Sequence, residues 1–356
     1  MYKILVINPG STSTKIAVYE DENQRLKKVI DHDVNELKKF KAVANQYEFR
    51  KNMILQFLSE EGINLHSFSA IIGRGGLLRP IPSGTYEIND RMLEELRSAK
   101  YGEHESNLGA LIANELAEQI GVKAYIADPV VVDEMEDIAR VSGHPFFHRK
   151  SIFHALNQKA VARSLSEKLG RNYYDLNLIV VHMGGGISIG VHKKGKVVDV
   201  NNALDGDGPF TPERSGTLPL VGFIDLCYSG KYSEGEIRKL IKGNGGLIAY
   251  LGTNDVREVV KRIKSGDKKA ELVYFGLIHQ IVKWIGKMSA VLNYDVDAIA
   301  LTGGMAYENE FLVPQIKEKV SFIAPVYVFP GGDEEKALAL AALRVIKQEE
   351  PAKMYK

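Results

Sequence analysis

The stretch LIVVHMGGGISIGVHKKGKVVDVNNALDGDGPFTPERSGTLP, residues 178–219, decides how the rest of the chain reads. An apolar run ends at His182, Gly184, Gly185 and Gly186 follow, and a second apolar run begins at once. This pattern predicts strand, tight glycine turn, strand, polar Lys-Gly turn, strand. Glycines lack a Cβ, so their backbone N–H groups can approach a bulky anion such as a phosphate. Taken alone the pattern is equally that of a plain hairpin. The chain, however, contains it twice.

The first copy is ILVINPGSTSTKIAVYEDENQRLKKVIDHDV, residues 4–34. An apolar run ends at Asn8, the turn Pro9-Gly10-Ser11-Thr12-Ser13 follows, then Thr14, Lys15 and a second strand, with a third strand over 29–34. Asn8 stands where His182 stands, and Gly10 where Gly184 stands. Two such hairpins, one per half, indicate a duplicated domain. A cleft between the halves would grip a polyphosphate from both sides, with Asn8, Ser11, Ser13 and Lys15 on one side and Gly184, Gly185 and Gly186 on the other.

VINPGSTSTKIAVY resembles the first signature of the acetate and butyrate kinase (acetokinase) family. HMGGGISIGVH with FTPERSG resembles its second region, and the resemblance runs on to PGGDEEKALA near the C-terminus. It implies an α/β fold of two ribonuclease-H-like domains, as in actin, Hsp70-type ATPases and sugar kinases, with a nucleotide between them. The expected division is 1–172, 173–332, and a C-terminal helix over 333–356 that packs back at the domain junction.

Composition agrees with a soluble two-domain protein: 356 residues, 45% hydrophobic, 26% charged, formal charge +1. Nothing in that balance points to nucleic acid or a membrane. The single Cys227 excludes an internal disulfide and reads as core. The first apolar run is short and broken by Asn8-Pro9, unlike a signal peptide, so a cytoplasmic location is expected.

Along the chain, 35–61 carries near-helical apolar spacing, and a strand over 70–72 delivers Gly73-Arg74-Gly75-Gly76 at its carboxyl end, where α/β sheets collect ligands. Arg74 is preferred to Arg79, which Pro80 follows. A strand over 123–127 runs into Asp128-Pro129, which fits either a water-mediated metal ligand or a turn cap. The resemblance favours metal. His144 and His148 lie in a Gly-Pro loop and are assigned no zinc, and His154, on a helix over 152–169, reads as a packing histidine. Asp205 and Asp207 suggest a calcium loop, but Pro209 and Phe210 occupy its next ligand positions. Arg214 is fixed by a Pro- and Gly-rich turn. Asp255 and Arg257 open a helix that the resemblance puts beside adenosine, as it does Gly303 and Gly304 after a strand over 298–301. Trp284 reads as packing. Asp333-Glu334-Glu335 suits a helix N-terminus, and the resemblance puts Glu334 on Mg²⁺.

The implied chemistry is transfer of the ATP γ-phosphoryl group to a carboxylate. A fatty acid is already ionised at neutral pH and needs no base. An anion must instead meet an anion, so Arg74 and Arg214 are expected to neutralise charge while His182 donates a hydrogen bond. The family usually has a larger residue where Val181 precedes His182. With Pro212, Val181 is therefore expected to leave room for more methylenes, each worth about 0.8 kcal/mol when buried. Butyrate is the expected acceptor, ahead of a branched-chain acid, acetate or propionate. A hydroxyl-acceptor sugar kinase and an actin- or Hsp70-like ATP switch are the remote alternatives. ATP/ADP and Mg²⁺ are the implied cofactors, and a homodimer or higher homo-oligomer the implied assembly.

Overall fold

The computed structural model describes all 356 residues. They form two compact units, Met1–Asp133 with Asp333–Lys356, and Glu134–Gly332.

In the first unit the strands are β1 (Lys3–Pro9), β2 (Ser13–Glu20), β3 (Asn23–Asp31), β4 (Ala70–Arg74), β5 (Thr85–Glu87) and β6 (Lys123–Ala127). β1, β2 and β3 form an antiparallel meander, and β4 and then β6 add in parallel on the other side of β1. β5 and the short strand Lys353–Met354 extend that edge. β1 is buried along nearly its whole length, as a central strand covered on both faces must be. Leu5 and Ile7 pack with Leu108 and Ile112 of the helix Asn107–Ile120. Alternation sends Ile4 and Val6 to the opposite face, and the helix Glu334–Ile346 lies against β1 and β4. That helix buries Ala337, Ala339, Ala341 and Ala342, small side chains that let it lie close on the sheet.

In the second unit β7 (Asn177–Met183), β8 (Ile187–Lys193) and β9 (Lys196–Val200) form the meander, and β10 (Ala298–Gly303) and β11 (Val326–Pro330) add in parallel beside β7. The order β11-β10-β7-β8-β9 repeats β6-β4-β1-β2-β3. Even the irregularity between second and third strands recurs, at Val18/Tyr19 and at Val191/His192. The duplication read in the two hairpins is thus a duplication of whole sheets. Ile179 and Val181 face the helix Lys268–Ala290, while Leu178 and Val180 face the helix Ala155–Leu169.

Several boundaries differ from those the sequence predicts. The third strand starts at Asn23 rather than 29, because it is an exposed edge strand with no apolar face to announce it. The stretch 35–61, whose spacing fits one long helix or two joined ones, holds a short helix Val34–Leu37 and a long one Tyr47–Glu60. Residues 134–172 cluster with the second unit, because the helix Ala155–Leu169 packs on β7 and β10. Cys227 ends the helix Leu220–Cys227, which has no buried residue, so it is not core. No helix is long and apolar enough to cross a membrane.

Candidate active site

In the first unit the candidates meet at the ends of β1 and β4 and the start of the helix Glu334–Ile346. Asn8 is 3% exposed, and its Nδ2 donates to Glu334 Oε2 (2.9 Å) and Glu335 Oε1 (2.7 Å). Arg74 donates to Glu334 Oε2 (2.9 Å) and to Asn8 Oδ1 (3.3 Å). Burial opposes the charge of Glu335, but Lys27 and Asn8 outweigh it and hold the carboxyl below its usual value. The neutral amide at position 8 now has a local cause: an aspartate there would put a third carboxylate against two others. Arg79 lies elsewhere, 4.8 Å from the ring centroid of Tyr355.

The glycines around Arg74 are filled by protein. A Cβ on Gly73 would lie 2.1 Å from Gly109 O, and one on Gly76 would lie 2.3 Å from Asn107 Oδ1. They seat β4 on the helix Asn107–Ile120. Asp128, just after β6, has φ +38 and is 9% exposed. Its Oδ1 accepts from Ser83 Oγ (2.6 Å) and Gly84 N (2.7 Å). A non-glycine residue held at positive φ is a conformation that surrounding structure must enforce.

In the second unit His182 ends β7 on the face toward the helix Ala155–Leu169. Its Nδ1 lies 2.7 Å from Asn157 Oδ1, and its ring stacks on His154 at 3.8 Å and 13°. Burial, and then Arg214, push its pKa down to about 4, so it is neutral at physiological pH. An amide oxygen only accepts, so the His182 proton sits on Nδ1 and its Nε2 carries a lone pair. The donor expected at His182 is therefore not at that nitrogen.

The carbonyl of Ser188 only accepts, so the Gln158 Nε2 lying 3.0 Å from it is the donor end of that amide. The same Nε2 donates to Ser188 Oγ (2.8 Å), which also lies 2.9 Å from His154 Nδ1. Gln158 Oε1 in turn takes the Nε2 proton of fully buried His192 (3.1 Å), whose Nδ1 accepts from Tyr173 Oη (2.8 Å). His154 is the N-cap of its helix rather than part of it, and its ring both stacks on His182 and lies within hydrogen-bond distance of Ser188 Oγ.

Arg214 lies flat against the glycine turn. A Cβ on Gly186 would sit 2.2 Å from Arg214 Nη1 and 3.2 Å from His154 Cε1, so this glycine makes room for side chains of the protein itself. Nη1 donates to Ala203 O at 2.5 Å, while Nε is buried with no hydrogen-bond partner. Thr211 pins the two turns together: its Oγ1 donates to Gly185 O (2.7 Å) and accepts from Arg214 N (3.0 Å).

Beside this turn opens a cavity of about 1110 Å³, lined among others by Gly184, Gly185, Pro212, Asp255, Arg257 and Gly304. Pockets of this order accept nucleotide-sized ligands. Asp255 caps the helix Val256–Lys264 and pairs with Arg257 through both oxygens (2.9 and 2.8 Å). Gly304 faces open space, whereas Gly303 has φ +86 and its Cβ would meet Met183 O at 2.3 Å. Gly303 is thus required by packing, whereas Gly304 only borders the cavity.

Val181 is a correction. It is fully buried in the core cluster with Ile189 and Leu301, because alternation along β7 turns it away from the face that carries His182. It lines no pocket. His144 and His148 are exposed loop residues, and no group of three or more metal-ligating side chains exists. Trp284 packs partly buried against the second core. Periodicity marks neither Asn157, Gln158 and Ser188 nor Glu335; only their partners in space reveal them.

Residues 141–325 match the acetokinase family. Across 356 residues, the whole of both chains, the sequence is 53% identical to butyrate kinase 1 of Clostridium acetobutylicum. The fold matches acetate kinase of Porphyromonas gingivalis with a TM-score of 0.79 at 20% identity, covering 97% of this chain and 100% of that one. It also matches a putative N-acetylmannosamine kinase from Listeria monocytogenes, with a TM-score of 0.53 at 13% identity over 98% of this chain and 100% of that one. The repeated sheet therefore has the fold of these kinases, and the chain belongs to the acetokinase family.

Proposed function

We infer that the protein is a short-chain fatty acid kinase that moves the γ-phosphoryl group of ATP to butyrate, reversibly forming butyryl phosphate and ADP. Full-length identity to a butyrate kinase carries this reading. The carboxylate oxygen forms the new O–P bond as the bond from phosphorus to the ADP oxygen breaks. The transition state is loose, so the protein positions the reactants and neutralises charge. Arg214, with an unpartnered buried Nε, is assigned to the equatorial oxygens, with His154 beside it. His182 supports His154 by stacking and supplies a lone pair. Arg74 is assigned to the substrate carboxylate, which it reaches by exchanging it for Glu334.

Asn8, Ser11, Ser13 and Lys15 are assigned to phosphates, together with Gly184 and Gly185. Asp255, Arg257 and Gly304 are assigned to adenosine in the adjoining cavity. Asp128 and Glu334 are hard oxygen donors and would hold Mg²⁺ through its waters, where the ion adds positive charge at the phosphates. Magnesium commonly takes only one or two carboxylates beside phosphate oxygens, so a three-carboxylate cage is not required. Pro212 remains the acyl-pocket candidate. We place the enzyme in the cytoplasm, where ATP is supplied. A homo-oligomer is supported by the helix Leu220–Cys227, which exposes Leu220, Val221 and Ile224 with Tyr228 beyond it; Ile224→Glu should lower the mass measured by light scattering.

The deciding assay traps acyl phosphate as hydroxamate across straight and branched acids of two to five carbons, beside ATP hydrolysis without acid. Butyrate is expected to give the highest kcat/KM. Hydrolysis with no acyl phosphate from any acid would overturn the reading.

A further inference from the structure

Arg50, on the helix Tyr47–Glu60, is fully buried beneath the β1–β2 turn. Its Nη1 donates to Gly10 O (2.7 Å), Ser13 O (3.1 Å) and Thr14 Oγ1 (3.2 Å), and its Nη2 donates to Ser11 O (3.1 Å). Gln46 Oε1 accepts from Nε (3.1 Å) and Nη2 (2.8 Å). Every partner is a neutral oxygen. No carboxylate lies within ion-pair range, and Glu105 acts on the guanidinium only from farther away. His32, which shares Thr14 Oγ1 at 2.8 Å, adds no compensating negative charge.

Two consequences follow from elementary chemistry. All peptides here are trans, so a carbonyl and the N–H that follows it point opposite ways. Drawing the carbonyls of Gly10 and Ser11 inward turns the N–H groups of Ser11 and Thr12 outward, at residues that are themselves exposed. Such N–H groups on successive turn residues form an anion-binding concavity. The second consequence is electrostatic. A buried cation with no counter-ion is costly, and an anion on the outer side of the turn relieves that cost.

We propose that Arg50 is a positioning residue for the phosphoryl donor: it holds the turn with carbonyls in and N–H groups out, and its unpaired charge is completed by polyphosphate bound on the exposed side. The proposal rests on the reading that this turn takes the phosphates of ATP. Arg50 touches neither substrate nor reacting atoms, so its loss acts on donor affinity rather than on the acid.

The test compares Arg50→Gln, Arg50→Lys and, as a control on the turn itself, Ser11→Ala. KM for ATP, KM for butyrate, kcat and the rise in Tm on adding ATP are measured for each. Arg50→Gln is expected to raise KM for ATP about tenfold or more, leave KM for butyrate within about twofold, and shrink the ATP-induced Tm rise. Arg50→Lys, which keeps the charge but not the fork, is expected to recover part of both. If Ser11→Ala raises KM for ATP but Arg50→Gln does not, the Arg50 proposal fails while the phosphate role of the turn stands. If neither variant changes KM for ATP, both fail. Equal increases in the two KM values, with no recovery in Arg50→Lys, mean a structural residue only and overturn the proposal. Should Arg50→Gln not fold, Arg50→Lys decides alone: an unchanged ratio of the two KM values sinks the idea.

Discussion

The β1–β2 turn and the β7–β8 turn hold the same place in two sheets of the same strand order, yet each is backed by an arginine in a different way. In the first unit Arg50 lies under the turn and binds its carbonyls. In the second, Arg214 lies across the turn and needs Gly186 to lack a side chain. One guanidinium shapes a backbone from beneath; the other lies on the outside of its turn. Duplication thus preserved the sheet and left the turns free to diverge, and the roles proposed above follow that difference.

The largest effect that tests this contrast is at Arg214. Arg214→Ala should lower kcat by about two to three powers of ten with little change in Tm, and a kcat within about tenfold of the parent in the hydroxamate assay would remove the chemical role of the second turn. Acid comes next. His32 in the first unit and His182 in the second are each pushed down to about 4, chiefly by burial and further by Arg50 and Arg214 respectively, and burial drives His192 well below its usual value. The unfolded chain binds these protons first as pH falls, so stability drops from about pH 6.5 to about pH 4 and levels off below that for His32 and His182. A few kcal/mol should be lost across the window in urea melts, and hydrogen exchange should show the second unit, with two such histidines, loosening more. A flat profile would contradict the neutral assignments.

Substituting the glycines sharpens the comparison further. Gly186→Ala must displace Arg214 or the turn, because its Cβ would lie 2.2 Å from Nη1, whereas Gly10→Ala meets nothing closer than Ser13 O at 3.5 Å. A kcat loss of about tenfold or more is expected for the first, against a change of about twofold for the second. Equal losses would mean that the two turns work alike. The smallest effect should come from Ser188→Ala, which removes the hydroxyl partner of His154 Nδ1. A several-fold lower kcat is expected, with nitrogen NMR showing a shifted His154 Nδ1 resonance.

Much of this was legible in the chain itself. Apolar alternation and the two glycine turns reveal the duplicated strands, and Arg214 and Asp255 stand in turns that punctuate clearly. Other features depend on partners remote in sequence. The neutral Asn8 gains its reason only from Glu335, and no local pattern links positions 8 and 335. Val181 looked available for a pocket because identity was read without facing, and one step along β7 reverses the side. Arg50 sits in a helix of mixed polarity where an arginine ordinarily marks solvent; its burial follows from the turn lying above it. The same holds for His154, whose Ser188 partner lies on a strand remote in sequence.

The helix Glu334–Ile346 lies on the sheet formed by the first residues of the chain, while residues 134–332 are contiguous. On the ribosome the later-made unit can therefore complete its core while the earlier one waits with the faces of β1 and β4 uncovered. Removing residues 333–356 should consequently cost solubility at the opposite end of the gene from the deletion, and nascent chains stalled before that point should recruit chaperones through their N-terminal sheet.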